Sequence, residues 1–272
     1  MELKEIEKSI IKKYRKQIWS RFIDAINEFK MINDSDKIAV CISGGKDSFL
    51  LAKCMQEIKR HGKVNFDLVF IVMNPGYNEK NIDLIKHNAE KLSIPIHIFN
   101  SNVFEVSNIL NEKSPCYICA RMRRGYLYNE AKKLGCNKIA LGHHFDDVIE
   151  TILLSIIYSG EMKTMMPKLH STNFEGMELI RPLYYIRESD IINWTKYVEL
   201  EFLNCACKFT EKNQIENNSK RKEIKKLINQ FRKINPYIET NIMKSASNVN
   251  LDTLIEYKKN NKRHNFLDEY EG

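Results

Sequence analysis

No apolar run in the 272-residue chain is long enough to span a bilayer, and its first residues, Met1 to Lys16, mix Glu and Lys with isolated Ile instead of forming a targeting signal. A membrane-spanning helix is therefore not expected, and a cytoplasmic protein is. There is no internal repeat, and no low-complexity tract beyond a Lys/Asn bias of the whole chain, so a repeat array or a compositional linker is not expected either. The common nucleotide fingerprints are also missing. The glycine pair Gly44-Gly45 fits neither the longer loop of G-x-x-x-x-G-K-[ST] nor the glycine spacing of G-x-G-x-x-G.

What the chain does contain is an ordinary 43% of hydrophobic residues, a length that suits one α/β domain with appended helices, and an excess of positive charge. Lys and Arg number 43 against 35 Asp and Glu, a formal net charge of +8 that favours a polyanionic partner. Basic residues concentrate between Lys220 and Lys233, where apolar residues recur at helical spacing opposite a strongly basic face. That face serves equally as a solvated helix surface or as a contact for an acidic partner.

The apolar run Ile38-Ala39-Val40-Cys41-Ile42 leads into Ser43-Gly44-Gly45-Lys46-Asp47-Ser48 and then into the helical pattern Phe49-Leu50-Leu51-Ala52. Strand, glycine turn and helix start together build a phosphate cradle: glycines let the backbone approach a ligand, and the first N–H groups of a helix are unpaired and carry the positive end of its dipole. Asp47 beside such a cradle makes sense if it holds Mg²⁺ on a leaving pyrophosphate, with Lys46 and the hydroxyls of Ser43 and Ser48 on the anion. The plainer alternative is a glycine turn capped by Asp47 or Ser48. At these residues the chain resembles the PP-loop ATPases, which adenylate a substrate and release pyrophosphate.

Hydrophobic periodicity predicts one long amphipathic N-terminal helix carrying Leu3, Ile6, Ile10, Tyr14, Ile18, Phe22, Ile26 and Phe29. Strands and helices then alternate: strands at Phe66–Met73, Ile94–Phe99, Lys138–Leu141 and Met177–Arg181, and helices at Asn78–Leu92, Cys119–Leu134 and Asp146–Tyr158. This alternation predicts an α/β protein with a doubly wound parallel sheet, Rossmann-like as in the PP-loop ATPases, with an N-terminal helix and a C-terminal helical extension. The expected organisation is a helix over 1–34, the α/β domain over 35–186 and a helical region over 187–272. Glu161 to Gly176 reads as an exposed loop suited to a lid, and the tail after Lys258 as poorly ordered.

A second strand-to-helix junction, Leu141-Gly142-His143-His144-Phe145-Asp146-Asp147-Val148-Ile149-Glu150-Thr151, places paired acids at a helix N-terminus. Taken alone, Asp146-Asp147 is a helix cap. Its G-H-x-x-D-D-x-x-E-T pattern, following S-G-G-K-D-S, matches the second motif of the same family. The resemblance implies that Gly142 lies close to the nucleotide, that Asp147 stands near the Mg²⁺-pyrophosphate or the reacting group, and that Val40 to Ile42 with Met73-Asn74 line the adenine. His143 and His144 read first as hydrogen-bonded structural residues.

Seven cysteines in a cytoplasmic chain point to metal ligation or redox work in preference to disulfides. Cys41, Cys54 and Cys136 sit in or beside predicted strands and helices as small hydrophobes. Pro115-Cys116-Tyr117-Ile118-Cys119 instead sets two thiolates one turn apart at the mouth of a helix, where the dipole lowers thiol pKa. Cys205 and Cys207, one residue apart, are a poor second chelating pair for zinc, whereas three cysteine ligands suit a [4Fe–4S] cluster with one open iron.

The run Cys116-Tyr117-Ile118-Cys119-Ala120-Arg121-Met122-Arg123-Arg124-Gly125 narrows the resemblance to the tRNA 2-thiocytidine synthetase family, TtcA, and its thiouridine-forming relatives, over about Lys4 to Val249. It implies a [4Fe–4S] cluster on Cys116, Cys119 and, by spacing from Phe202, Cys207, with sulfide on the open iron passed to a tRNA pyrimidine adenylated by ATP and Mg²⁺. It also implies catalytic roles for Lys46, Asp47 and Asp147, a homodimer, and a cysteine desulfurase or free sulfide as sulfur donor. Arg121, Arg123 and Arg124 serve either to guide RNA or as counter-charges to the cluster. The sequence departs from the pattern at Thr210, where the family commonly has a further cysteine, and this leaves the target nucleotide open. Persulfide chemistry on Cys119 or Cys207 without a cluster is the rival enzymatic reading, and an RNA-binding iron–sulfur sensor the rival outside catalysis.

Overall fold

The computed structural model describes residues 1–103, 115–203 and 220–270, with 115–120 described as backbone only. Two compact units are present: Met1–Val148 with Met166–Asn217, and Ile149–Met165 with Asn218–Gly272.

In the first unit the N-terminal segment runs through α1 (Leu3–Lys8) and α2 (Ser20–Glu28), joined by two π-helical stretches, Ser9–Lys13 and Arg15–Trp19. The expected single α-helix is therefore interrupted. Around Tyr14 the N–H groups bond five residues back, Tyr14 to Ser9 and Trp19 to Tyr14, which shifts the phase of the apolar stripe. Ile6, Ile10, Ile18 and Phe22 are fully buried by this arrangement while Tyr14 is not.

Next come β1 (Lys37–Ile42), α3 (Lys46–His61), β2 (Asp67–Asn74), α4 (Glu79–Lys91), β3 (Ile96–Asn100), α5 (Pro115–Lys133), β4 (Lys138–Ala140), α6 (Phe145–Ser159), β5 (Lys168–His170), β6 (Glu178–Ile180) and α7 (Glu188–Val198). The sheet order is β3-β2-β1-β4-β6-β5, all parallel except β5, which runs antiparallel to β6. Ile38 to Ile42 are all buried, as a strand covered on both faces requires. The residues expected to form a lid loop thus contain a strand, because Leu169 pairs with Leu179 along the sheet edge.

β2 and β3 lie to one side of β1, and β4, β6 and β5 to the other. The carboxyl ends of β1 and β4 therefore flank the topological switch point, where open α/β sheets leave a crevice. A buried ion network fixes the opposite ends of these strands: Lys138 Nζ lies 2.7 Å from Asp36 Oδ2, 3.1 Å from Glu178 Oε2 and 3.0 Å from the Met31 carbonyl.

The second unit contains the C-terminal part of α6, α8 (Lys220–Ile234), α9 (Ile238–Ser245), β7 (Glu256–Lys259), β8 (Lys262–Asn265) and the turn of helix α10 (Leu267–Tyr270). α8 buries Ile224 and Ile228 and leaves most of its basic residues exposed, with Arg221 Nε 2.7 Å and Lys225 Nζ 3.5 Å from the buried Glu150 carboxylate. The tail expected to lack order after Lys258 instead forms an antiparallel hairpin.

Candidate functional site

The turn after β1 is held from within. Ser48 Oγ donates to the Gly45 carbonyl at 2.8 Å and accepts from the Ser43 backbone N–H at 3.2 Å and from Ser43 Oγ at 3.3 Å. Gly44 has φ +89°, and a Cβ there would lie 2.6 Å from Leu203 Cδ1, so the position takes glycine both for its conformation and for its space. The Leu203 N–H donates to the Gly44 carbonyl at 3.0 Å, which ties the chain leaving α7 to the turn.

Gly142, after β4, comes up against this turn from the neighbouring strand. A Cβ at Gly142 would stand 3.1 Å from the Asp47 carbonyl carbon, 3.2 Å from its oxygen and 3.2 Å from the Ser48 nitrogen. Between the two turns lies a cavity of about 300 Å³ whose lining includes Ser43, Asp47, Met73, Arg123, Gly142 and Asp147. That volume falls at the lower end of the range for small-molecule sites.

The structure brings most of the sequence-predicted nucleotide residues together here. Ser43, Asp47, Ser48, Met73, Gly142 and Asp147 all line the cavity, and Ile42 does so from the strand end. Lys46 opens α3 with its Nζ 3.2 Å from the Asp47 carboxylate and 3.3 Å from Glu188 Oε1. Asp47 Oδ1 is buried and forms no well-aligned hydrogen bond, its nearest cation being the Lys46 ammonium at 3.2 Å. Asp147 Oδ2 accepts from the His144 backbone N–H at 3.1 Å, and Asp146 Oδ2 from the Glu188 N–H at 2.7 Å, so the second acid anchors α7.

The two histidines differ. His144 is buried among acids, its Nε2 3.6 Å from Asp147 Oδ2 and 3.9 Å from Asp47 Oδ1. His143 lines the cavity and accepts at Nδ1 from Arg181 Nε at 3.3 Å. Arg181 is buried, its Nη1 also donates to the Met166 carbonyl, and burial together with the like charge of Arg124 lowers its pKa to about 10.

The three arginines of α5 take different positions. Arg121 and Arg124 are exposed, whereas Arg123 lines the cavity and donates from Nη2 to the Tyr77 hydroxyl at 3.0 Å. Cys116 and Cys119 fall at the start of α5, where only the backbone is described, and Cys205 and Cys207 lie outside the described residues. Cys41 and Cys136 are buried in one apolar cluster with Ile71, Ile139 and Leu179, and burial pushes both thiols up. Cys54 is buried as well.

Sequence reasoning passed over Tyr77, Arg181 and Glu188. Each is a lone polar residue near a strand or helix end, and only the folded chain brings Tyr77 to the cavity, Arg181 to His143 and Glu188 to Lys46. Among the described residues no group of three or more His, Cys, Asp or Glu is placed to hold a metal ion. Two carboxylates facing a phosphate cradle nevertheless fit Mg²⁺ that arrives with a nucleotide, since this ion uses one or two carboxylates plus substrate phosphates. No described helix is long and apolar enough to cross a membrane.

A switch-point cavity framed by a glycine turn and a paired-acid turn defines an ATP-binding class of α/β proteins, and a PP-loop domain family model matches residues 15–230. A tRNA-cytidine(32) 2-sulfurtransferase of Coxiella burnetii is 34% identical over 266 residues, covering 95% of this chain and 96% of that protein. One of Pelobacter propionicus is 35% identical over 236 residues, covering 85% of each. The chain belongs to the PP-loop family and, within it, to the tRNA-cytidine(32) 2-sulfurtransferases. The solved U34-tRNA thiolase NcsA from Methanococcus maripaludis, with its [4Fe-4S] cluster, shares the fold at TM-score 0.66 and 23% identity, over 84% of this chain and 76% of that one.

Proposed function

We infer that the protein is an ATP-dependent tRNA sulfurtransferase that converts a cytidine of tRNA to 2-thiocytidine. The observation that carries this reading is the apposition of Gly142 on Asp47, which joins both family motifs into one cavity in a chain whose full-length relatives are cytidine sulfurtransferases. The cytidine O2 attacks the α-phosphorus of ATP and pyrophosphate leaves; sulfide then attacks C2, and AMP departs with the original oxygen, a transfer without net redox change when the sulfur arrives as sulfide. Adenylation is needed because the exocyclic carbonyl oxygen at C2 is a poor leaving group, and the fixed geometry supplies part of the rate.

In this reading Ser43, Gly44, Gly45, Lys46 and Ser48 cradle the phosphates, Met73 and Gly142 border the nucleoside, and Asp47 and Asp147 hold Mg²⁺ on the pyrophosphate. Cys116, Cys119 and Cys207 hold a [4Fe–4S] cluster, which when bound supplies an open iron for sulfide. Two features support that assignment. Positions 116, 119 and 123 recur at helical spacing on α5, and Arg123 lines the cavity. Leu203, four residues before Cys207, is bonded to the turn itself. The proposal includes the earlier assignment of a homodimer working in the cytoplasm with a cysteine desulfurase or free sulfide as donor.

Nucleoside mass spectrometry of tRNA from a deletion strain tests the reading: 2-thiocytidine is expected to vanish and to return with the gene. Retention of 2-thiocytidine overturns it. Anaerobically purified protein is expected to carry iron and acid-labile sulfide, and to lose both when any one of Cys116, Cys119 or Cys207 becomes Ala. Iron that survives every single replacement refutes the three-ligand assignment, and sulfur transfer by an iron-free protein establishes the persulfide route.

A further inference from the structure

The hairpin of β7 and β8 breaks a rule of sheet pairing. Its registers set Lys258 opposite Arg263 and Lys259 opposite Lys262, so two successive cross-strand pairs are cation against cation. Like charges directly opposite one another destabilise a hairpin, and a two-stranded sheet is marginal to begin with. The local chemistry otherwise favours the hairpin: Asn260 and Asn261 take φ 51° and 62°, the left-handed pair that a two-residue type I′ turn needs. The repulsion is thus held in place by a well-chosen turn.

Nearby acids offset only one face. Glu256 Oε1 lies 3.6 Å from Arg263 Nη1, and Glu161 stands within electrostatic reach of Lys258. On the other face, Lys259 and Lys262 are exposed and, among the described residues, have no acidic partner. Next to them on that face, Tyr257 and His264 stack with ring centroids 4.8 Å apart and planes 10° from parallel. A flat aromatic pair beside two uncompensated ammonium groups matches the needs of RNA: a surface for a base or ribose, and cations for the adjoining phosphates.

We propose that this hairpin face is a docking site for the tRNA substrate, in which Lys259 and Lys262 engage backbone phosphates and the Tyr257–His264 stack packs against the nucleotide between them. The proposal rests on the tRNA sulfurtransferase reading. Charge complementarity selects the occupant, because the face carries two cations that no acid among the described residues neutralises and the substrate is a polyanion.

The test measures binding of an unmodified tRNA transcript to the full-length protein over a salt series, for the wild type, a Lys259→Gln/Lys262→Gln double variant, a Lys259→Arg/Lys262→Arg variant and Tyr257→Ala. Each phosphate contact contributes about 0.7–0.9 to the log–log salt slope, so the Gln pair is expected to lower the slope by roughly 1.5 and to weaken binding about tenfold at moderate salt. The Arg pair should restore both values, and Tyr257→Ala should weaken binding with the slope retained.

A Gln pair with wild-type affinity and slope overturns the docking site and leaves the lysines as protection of exposed strand edges. If vesicles of phosphatidylserine and phosphatidylcholine bind the wild type but not the Gln pair, and tRNA binding is equal in the two, the face belongs to a membrane surface and the proposal is likewise overturned. A wild-type protein that binds no tRNA refutes the sulfurtransferase reading itself, a result distinct from either of these.

Discussion

Replacing Gly142 by Ala tests the joint between the two turns. The added methyl carbon would meet three backbone atoms of Asp47 and Ser48 at 3.1–3.2 Å, where ordinary contact begins at 3.4 Å. Backbone cannot swing aside as a side-chain tip does, so the turns must part by 0.2–0.3 Å. Relief of this kind costs about 1–3 kcal/mol of stability, which for a chain of this size lowers Tm by about 2–4 °C per kcal/mol. Catalysis should suffer more, because the displaced residue carries a carboxylate that lines the cavity and, on the proposed reading, faces the reacting phosphates. A misplacement of about 1 Å costs on the order of a hundredfold, and a third of that displacement, with the steep dependence of reaction on distance, roughly three- to tenfold. The assay is tRNA-dependent pyrophosphate release at saturating ATP, read beside a thermal melt. Gly142→Ala protein with wild-type turnover and wild-type Tm would refute the close approach and, with it, the single cavity built from both motifs.

Two further perturbations separate the scaffold from the site. Gly125 lies inside α5 and an added Cβ meets nothing within 4 Å, so Gly125→Ala is expected to stabilise the protein by about 0.5–1 kcal/mol in a denaturant titration; destabilisation would show that the helix interior is crowded there. Lys138→Met leaves the buried Asp36 and Glu178 short of their shared cation and should cost about 3 kcal/mol, the low end for a broken buried pair, because Lys168 still reaches Glu178 at 3.3 Å. The same network predicts acid sensitivity. Burial raises the Asp36 pKa, but hydrogen bonds from Lys138, the Asn33 N–H and Asn137 bring it below the ordinary 3.8, so its contribution is complete above that value and is lost as pH falls through the lowered one. Melts between pH 5 and pH 2 should therefore fall less steeply for Asp36→Asn than for the wild type, and equal slopes would refute the assignment.

The cradle was legible because its residue types are tied to local geometry. Gly44 must accept positive φ, Asp147 must cap a helix at a strand end, and both requirements act within a few residues of sequence. The parallel sheet followed from the alternation of apolar strands with amphipathic helices. What was not legible depends on contacts between distant segments. Glu188 matters because α7 brings it to Lys46, and Arg181 because β6 sets it beside His143, and neither pairing leaves a periodic mark. β5 was hidden because Lys-Leu-His carries too short a pattern to announce an edge strand, and the C-terminal hairpin because a Lys/Asn-rich tail has the composition of a disordered one. In that tail the turn residues Asn260-Asn261 were the available signal, outweighed by the charges around them.

The charge distribution of the cavity also constrains how a nucleotide enters it. Lys46 is already shared between Asp47 and Glu188, and among the described residues the cavity lining sets Asp47 and Asp147 against one guanidinium, that of Arg123. A polyphosphate arriving alone would meet carboxylates as well as donors, and at the separations of an active site such like-charge contacts are among the largest electrostatic costs a protein imposes. On the proposed reading Mg²⁺ removes the conflict. Asp47 and Asp147 would then be ligands of a phosphate-bound metal in place of repulsive neighbours of the phosphates. Lys46 can then leave Glu188 for the anion. On that reading the acids beside the cradle would serve selectivity as well as chemistry, admitting the metal complex of the nucleotide and discriminating against the free anion.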